Sequence, residues 1–169
     1  MGIQMTTRSE LFEHAIQQVL ADEGGYVNHK NDKGGETNFG ISKRSYPNVD
    51  IKGLTEEGAK VIYHRDFWAR GPYDQMAHAG LAEKVFNTAV NAGNSRAFKL
   101  LQQAANAMGA KLSVDGVIGA KSLAAINALD GNRMLKEYRV AQANFYKAIV
   151  ERDESQRVFL KGWLARAAS

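Results

Sequence analysis

The chain has 169 residues, no cysteine, two prolines and 44% hydrophobic residues, which suits a soluble globular protein with a sizeable core. The lack of cysteine excludes disulfides and thiol chemistry, and no apolar run approaches the roughly 18 residues of a membrane-spanning helix. The formal net charge is +4, and the whole excess lies in residues 131–169, which hold 8 Lys/Arg against 4 Asp/Glu. This excess is either the solvated face of a helix or an attraction to an anionic polymer or surface.

The first predicted helix ends inside a glycine-rich stretch. Apolar residues recur at helical spacing up to this point, and Ser9 is a suitable N-cap. Gly24 and Gly25 favour the end of the helix, because glycine adopts the left-handed dihedral angles of a C-cap. Glu23 is therefore predicted in the last helical turn, where the negative end of the helix dipole disfavours an ionised carboxylate. A protonated carboxyl group is what a general acid requires, although most glutamates at helix ends are solvated surface groups.

Residues 25–42 are predicted to fold back over the end of this helix as a hairpin or an irregular loop, because they are rich in polar side chains and glycines. The stretch reads Glu-Gly-Gly-Tyr from Glu23 and Asp-x-Gly-Gly-x-Thr-Asn-x-Gly-Ile from Asp32. This string resembles the signature of glycoside hydrolase family 108, a lysozyme-like family. The resemblance implies a mainly α fold of the lysozyme-like α+β kind, with a helical body and a small β-hairpin near the active site.

The resemblance also implies an activity, that of a peptidoglycan-cleaving N-acetylmuramidase of the bacteriolytic phage or prophage endolysin type. Glu23 would protonate the glycosidic oxygen between N-acetylmuramic acid and N-acetylglucosamine. Asp32 is the candidate second carboxylate, which would activate water or stabilise charge on the sugar; alternatively, Asp32 is a turn residue that holds the loop. Carboxyl groups about 6.5–9.5 Å apart predict inversion, and groups about 5–5.5 Å apart predict a covalent retaining route. Thr37 is a candidate for positioning water or the N-acetyl group of the substrate.

The next elements are a short helix at 43–46 and a longer helix that begins after Thr55 and ends before Gly71. The longer helix carries an aromatic run that also resembles the family. Phe67 is assigned mainly to the core. Tyr63 and Trp68 are either core residues or walls of a cleft at the end of the first helix, where they would stack on sugar rings.

Residues 80–91 are predicted to form a strongly amphipathic, buried helix. The string 85–93 resembles another segment of the family, in which Asp is usual where this chain has Asn87. Any role that this Asp has in relatives is therefore in doubt here, and a buried asparagine that hydrogen-bonds the backbone is the alternative. The candidate substrate-binding residues are Tyr26, Asn38, Tyr63, Trp68 and Asn87.

The C-terminal part is predicted to be helical. A turn from Asp115 to Gly119 resembles that of small peptidoglycan-binding modules, although Asp-Gly is also a common tight turn. The predicted division is a lysozyme-like catalytic half, 8–93, and a peptidoglycan-binding-like half, 94–166, packed as one compact body because no linker separates them. The predicted helices are 95–108 with Ser95 as its N-cap, 120–129, 133–151 and a short final helix around Trp163. The inward residues predicted for 133–151 are Met134, Leu135, Tyr138, Ala141, Phe145 and Ile149.

No metal or cofactor is expected, because none of the 4 histidines lies in a zinc-binding pattern and the acidic residues near Glu23 do not match a calcium loop. The expected partner is the glycan strand of peptidoglycan, bound by a monomer. Nucleic acid is not expected, because no nucleic-acid-binding motif accompanies the charge, and neither is stable membrane insertion. The first residues lack the apolar core of a signal peptide. We therefore expect synthesis in the bacterial cytoplasm and action on the wall in the periplasm, after release through a holin pore or by a dedicated secretion machine.

Two other functions remain open from the sequence. A lytic transglycosylase cuts the same bond without water and leaves a 1,6-anhydro sugar. A non-catalytic wall-binding module of a larger phage or secretion structure is the second alternative, and the presence of Glu23 argues against it.

Overall fold

The structure is a computed structural model that describes residues 8–28 and 35–169. Within these residues the chain forms seven α-helices, a three-stranded antiparallel sheet and three short 3₁₀ helices, which confirms the predicted mainly α, lysozyme-like architecture. The α-helices are α1 (Glu10–Glu23), α2 (Glu56–Asp66), α3 (Ala79–Ala92), α4 (Asn94–Ala107), α5 (Ala120–Asn127), α6 (Gly131–Arg152) and α7 (Leu160–Ala168). The strands are β1 (Val27–Asn28), β2 (Glu36–Asn38) and β3 (Ile41–Ser42), and the 3₁₀ helices are Trp68–Arg70, Tyr73–Gln75 and Glu154–Phe159.

Helix α1 begins and ends where the sequence predicts. The Ser9 hydroxyl accepts a hydrogen bond from the Phe12 N–H at 3.1 Å, which satisfies one of the free donors of the first turn. At the other end Gly24 adopts a φ of 74° and its N–H donates to the Leu20 carbonyl. Glu23 is consequently the last residue of the helix.

The sheet has the order β1-β2-β3, and β2 pairs with both neighbours. Asn38 lies opposite Ile41, so that β2 and β3 are joined by the two-residue turn Phe39–Gly40. Both turn residues have positive φ angles, 53° and 79°, as a type I′ hairpin turn requires. Asn38 and Ile41 are buried on the core face, and Thr37 projects from the opposite face because side chains alternate along a strand.

Aromatic rings fasten α1 to α2 and to the segment that follows it. The fully buried Phe12 meets His64 edge-on at 4.8 Å and Trp68 at 5.4 Å between ring centroids. Trp68 in turn stacks on Tyr73 at 4.8 Å. These contacts fix the direction of α1, and therefore the position of Glu23 at its C-terminal end.

Packing divides the chain into two compact units, Met1–Asp74 and Gln75–Ser169. The first unit contains α1, the sheet and α2, and the second contains α3 to α7. Helix α3 packs on α4 and α6. The predicted boundary at residue 93 and the single compact body stay predictions.

A single glycine joins α3 to α4. Gly93 has a φ of 89°, its N–H donates to the Ala89 carbonyl at the end of α3, and it is also the N-cap of α4. The predicted N-cap Ser95 is therefore wrong, because α4 has already begun at Asn94. A Cβ added at Gly116 would lie 2.8 Å from the Ser95 hydroxyl, so Ser95 packs against the loop before α5.

That loop is held by Gln102, a side chain of α4 that is 1% exposed. Its amide nitrogen donates to the Asp115 carboxylate and to the Val117 carbonyl, each at 2.9 Å. Its amide oxygen accepts from the N–H groups of Asp115 and Gly116. All the hydrogen bonds of this buried amide are used within the second unit, which gives the Asp-Gly turn a defined shape.

Two further predictions differ from the structure. Residues 43–46 form one turn rather than a helix, because a single bond from the Tyr46 N–H to the Ser42 carbonyl closes it before Pro47. In the second half of α6 the buried stripe runs one position later than predicted. There Tyr146 stacks on Trp163 at 5.3 Å, and the Gln142 side chain donates to the Tyr146 hydroxyl. The buried residues of α6 are Met134, Tyr138, Gln142, Tyr146 and Val150.

Lys84 of α3 is 8% exposed and ties the C-terminal end of α7 to α3. Its Nζ donates to the carbonyls of Arg166 and Ala167 at 2.9 and 3.0 Å. Burial, with the positive charges of Arg139 and Arg166, lowers the pKa of Lys84 to about 8. Above this pH the neutral amine still has hydrogens to donate to both carbonyls.

This lowered pKa predicts a gain of stability at alkaline pH. Between the folded pKa of about 8 and the unfolded value of 10.5 the unfolded chain binds more protons, so the contribution of Lys84 to the free energy of unfolding rises with pH. This contribution is measured by denaturant unfolding of the parent chain and of Lys84→Met at pH 7 and at pH 10. The difference in the free energy of unfolding between the two proteins isolates Lys84, since the titration of other groups cancels. We expect this difference to move in favour of the parent by about 1 to 2 kcal/mol. Parallel pH profiles would contradict the prediction.

Candidate active site

The site is built around Glu23, which is half-buried at the C-terminal end of α1. The turn Phe39–Gly40 lies directly against its side chain. A Cβ added at Gly40 would lie 2.8 Å from the Glu23 Cγ and 2.9 Å from its Cβ. Only a residue without a side chain lets the backbone rest on the aliphatic part of Glu23 in this way.

Tyr63 of α2 holds that turn in place. Its hydroxyl donates to the Phe39 carbonyl at 2.6 Å, and the same added Cβ at Gly40 would lie 2.7 Å from it. Tyr63 is 3% exposed, and burial raises its pKa, as does the negative charge of Glu23 close by. The phenol therefore stays protonated and remains a donor. The structure gives Tyr63 a supporting position, whereas the stacking role also predicted for it would require an exposed ring.

Phe39 bears the conformational strain of the turn, because a side chain with a positive φ is disfavoured by about 1 kcal/mol or more. The flanking residue Asn38 is anchored on the core side. It is 6% exposed, and its amide nitrogen donates to the carbonyls of Ile51 at 3.0 Å and Leu54 at 3.3 Å. These bonds let Asn38 hold the end of β2, and its predicted contact with substrate stays a prediction.

A second tyrosine lies close to Tyr63 and was not predicted. Tyr46 donates to the Asp66 carboxylate at 2.8 Å, and Asp66 also accepts two bonds from the Arg65 guanidinium. Burial, then the bond to Asp66, raises the pKa of Tyr46 to about 12, and the Arg65 bond lowers the pKa of Asp66. Because Tyr46 and Asp66 are 20 residues apart, no local sequence pattern links them.

Tyr26 keeps an open face, as a residue that contacts a sugar needs. It is 39% exposed, and its hydroxyl donates to the Glu36 carboxylate at 2.7 Å. This bond, more than burial, raises the pKa of Tyr26. Glu36 is the first residue of β2, and this bond connects it to Tyr26, which directly precedes β1. Glu36 is therefore engaged in a side-chain hydrogen bond rather than simply solvated near Glu23.

The remaining predicted residues lie in different places. Trp68 is 2% exposed between Phe12 and Tyr73, and its indole N–H donates to Asp74 at 3.0 Å. Of the two roles predicted for Trp68, this burial favours the core, and its contact with substrate stays a prediction. Thr37 is half-buried in the central strand, and Asn87 is half-buried in α3 of the second unit. Asp32 lies outside the described residues, so the second carboxylate stays a prediction.

Neither a metal site nor a membrane span is found in the part of the chain that the structure describes. No group of three or more His, Asp or Glu side chains there is arranged to hold a metal ion. No helix among residues 8–28 and 35–169 is long and apolar enough to cross a membrane.

The fold is that of a lysozyme-like protein, and comparisons with known proteins agree with this class. The sequence model of the family described as Glycosyl hydrolase 108 matches residues 16–93, and that of the Predicted Peptidoglycan domain matches residues 96–168. A solved structure, that of Brucella abortus SagA, is similar with 32% sequence identity and a TM-score of 0.74, over 93% of this chain and 89% of that one. None of the curated proteins matches the chain.

The chain belongs to glycoside hydrolase family 108. Together with the peptidoglycan domain in its second half, this membership identifies it as a glycoside hydrolase that acts on peptidoglycan.

The contact at Gly40 predicts that Gly40→Ala loses wall-degrading activity out of proportion to stability. The methyl group would push the turn away from Glu23 and Tyr63, and a displacement of about 1 Å in an active site can cost about 10²-fold in rate. The matched control is Gly109→Ala, which has the same positive-φ strain but no atom within 4 Å of the added Cβ. Both variants should lose about 1 kcal/mol or more of stability in thermal melts. Clearing of purified peptidoglycan, per folded protein, should fall only for Gly40→Ala, and an equal loss in both would contradict the prediction.

Proposed function

We propose that the chain is an N-acetylmuramidase, a lysozyme that hydrolyses the β-1,4 bond between N-acetylmuramic acid and N-acetylglucosamine with Glu23 as the general acid. The observation that carries this proposal is the position of Glu23. It ends α1, it is half-buried, and its side chain lies under the Phe39–Gly40 turn. Membership of a glycoside hydrolase family supports the reaction class.

The surroundings of Glu23 suit proton donation. A general acid must keep its proton until the leaving oxygen takes it. The C-terminal end of α1 points the negative end of its dipole at this residue, and partial burial adds to the disadvantage of a charged carboxylate. The bond from Tyr63 to Phe39 keeps the turn against the Glu23 side chain, which limits the positions that the carboxyl group can take.

The second group of the proposed mechanism is Asp32, with Thr37 as a residue that positions water or the N-acetyl group. Thr37 belongs to the central strand, next to the strand residue that leads into the turn on Glu23. A carboxylate at Asp32 would activate water in an inverting reaction or form a glycosyl intermediate in a retaining one. In either case water is consumed and a reducing sugar end is released.

The proposal also covers where the enzyme acts. A glycan strand would contact the exposed ring of Tyr26 beside the site. We place the activity at the bacterial wall, after an endolysin-type release through a holin pore or by a dedicated secretion machine, with the protein acting as a monomer. The excess of positive charge in residues 131–169 favours adsorption to an anionic wall.

Replacement of the proposed acid tests the assignment. Glu23→Gln keeps the size of the side chain but cannot donate a carboxyl proton, so clearing of peptidoglycan should fall by about 10² to 10⁴-fold. Thermal stability should stay level or rise slightly, because the negative end of the helix dipole is unfavourable to the native charge. Asp22→Asn is the matched control, one residue earlier in α1 and exposed. If Glu23→Gln cleared walls at the parent rate, the proton would come from another group.

The products separate hydrolysis from transglycosylation. Digestion of purified peptidoglycan in H₂¹⁸O should give muropeptides with one labelled reducing end per cleavage, and N-acetylmuramic acid at that end, by mass spectrometry. A 1,6-anhydro end without label would show a lytic transglycosylase at the same bond. The Glu23→Gln variant run in parallel shows which products depend on the site.

A further inference from the structure

A groove in the second unit lies between α4 and α6, and none of the proposed catalytic residues is among those that line it. Its cavity volume is about 580 Å³. Its walls carry two arginines, one glutamate and several amide or apolar side chains. The charged, amide and aromatic side chains that line it are Arg96 and Gln103 of α4, and Glu137, Asn144, Phe145 and Arg152 of α6.

The two arginines belong to the same half of the groove. The Arg96 guanidinium carbon lies 4.6 Å above the centre of the Phe145 ring. The Nε of Arg152 donates to the Ala148 carbonyl at 3.3 Å, which folds this side chain back along α6 toward Phe145. Neither arginine forms an ion pair with another described residue. Stacking on a ring leaves the edge donors of a guanidinium free, and this edge fits a carboxylate with two parallel bonds.

The other half of the groove is acidic. Glu137 lies eight residues before Phe145 on α6, which places the two about 12 Å apart along the helix axis. Asn144 and Gln103 add amide donors and acceptors to the lining, and Val140, 49% exposed, adds an apolar surface. The groove therefore suits an extended ligand that carries both carboxylates and a cation.

We propose that this groove binds the stem peptides of peptidoglycan, with Arg96 and Arg152 holding peptide carboxylates and Glu137 holding the side-chain amine of the diamino acid. The peptide is favoured over the glycan by its charge. The lactyl carboxyl of N-acetylmuramic acid is consumed in the amide bond to the peptide, so the sugars of a substituted strand are neutral. Free carboxylates and amines belong to the stems: a wall tetrapeptide with diaminopimelate has three free carboxylates and one free amine for the two arginines and the one glutamate of the groove. An extended tetrapeptide of about 14 Å is long enough to span the roughly 12 Å between Glu137 and Phe145.

This proposal rests on the proposed function for the identity of the polymer, but its test does not involve cleavage of any glycosidic bond. Isothermal titration of the full chain with a free tetrapeptide, N-acetyl-L-Ala-γ-D-Glu-diaminopimelate-D-Ala, measures binding of the stem alone, because the acetyl group replaces the lactyl amide of the wall. Arg96→Gln and Arg152→Gln should each weaken binding about tenfold, because each removes a charge-assisted pair. Arg133→Gln is the matched control: it removes the same charge from an exposed residue of α6 that does not line the groove. It should change the dissociation constant by less than about twofold.

The acidic half is tested with the same peptide acetylated on its free side-chain amine. The parent chain should bind the acetylated peptide more weakly, and Glu137→Gln should bind both peptides alike. Arg96→Lys, which keeps the charge without the planar fork, should recover part of the loss, and thermal melts verify that each variant is folded. If a variant does not fold, chemical-shift changes of the parent chain on peptide addition must map to α4 and α6.

Three results would overturn the assignment: no binding of the free peptide, an equal loss in Arg133→Gln, or equal competition by glycan strands stripped of their peptides. The last result would give the groove to sugars. Failure of the proposed lysozyme activity can be distinguished from failure of the peptide-binding proposal. The first is measured by wall clearing with the Glu23→Gln variant, whereas peptide binding by that variant should equal that of the parent.

Discussion

The contact of a hairpin turn with the last residue of a helix organises the first unit. Gly40 lies on the aliphatic part of Glu23, and the Tyr63 hydroxyl anchors the neighbouring carbonyl of Phe39. A helix end, a strand turn and a second helix thus meet at one carboxyl-bearing side chain. The strain at Phe39 persists because Asn38 and Tyr63 hold it from both sides.

Local sequence signals predicted the elements of this site but not their contacts. The Gly-Gly pair after Glu23 and the capping residue Thr55 act within one helical turn, so their effects are readable in sequence. The burial of Trp68 and the bond between Tyr46 and Asp66 depend on residues that come together only in the fold. A positive φ at Phe39 has no residue-type signal at all, since a phenylalanine seldom adopts it.

In the proposed functions the two units use different chemistry toward the same polymer. The first presents a half-buried acid and an exposed aromatic ring, which suit a neutral sugar strand. The second holds all of the net positive charge, and α6 contributes both a buried stripe with two tyrosines and the charged wall of the groove. Of the α6 positions that were predicted to face inward but are not buried, Ala141 and Phe145 line this groove. Their partial exposure explains why an apolar residue there does not mark the core.

The one-residue joint at Gly93 bears on how such enzymes can exchange parts during evolution. The two family matches meet at this joint, since one ends at residue 93 and the other starts at residue 96. Yet α3, on the glycosidase side, packs on α4 and α6, and its Lys84 fastens the end of α7. A recombination event at the match boundary would separate α3 from the helices that cover it. A wall-binding part acquired from a relative must therefore either fit the existing α3 or include an α3 of its own. The segment that can be exchanged is then longer than residues 96–168, which match the peptidoglycan domain.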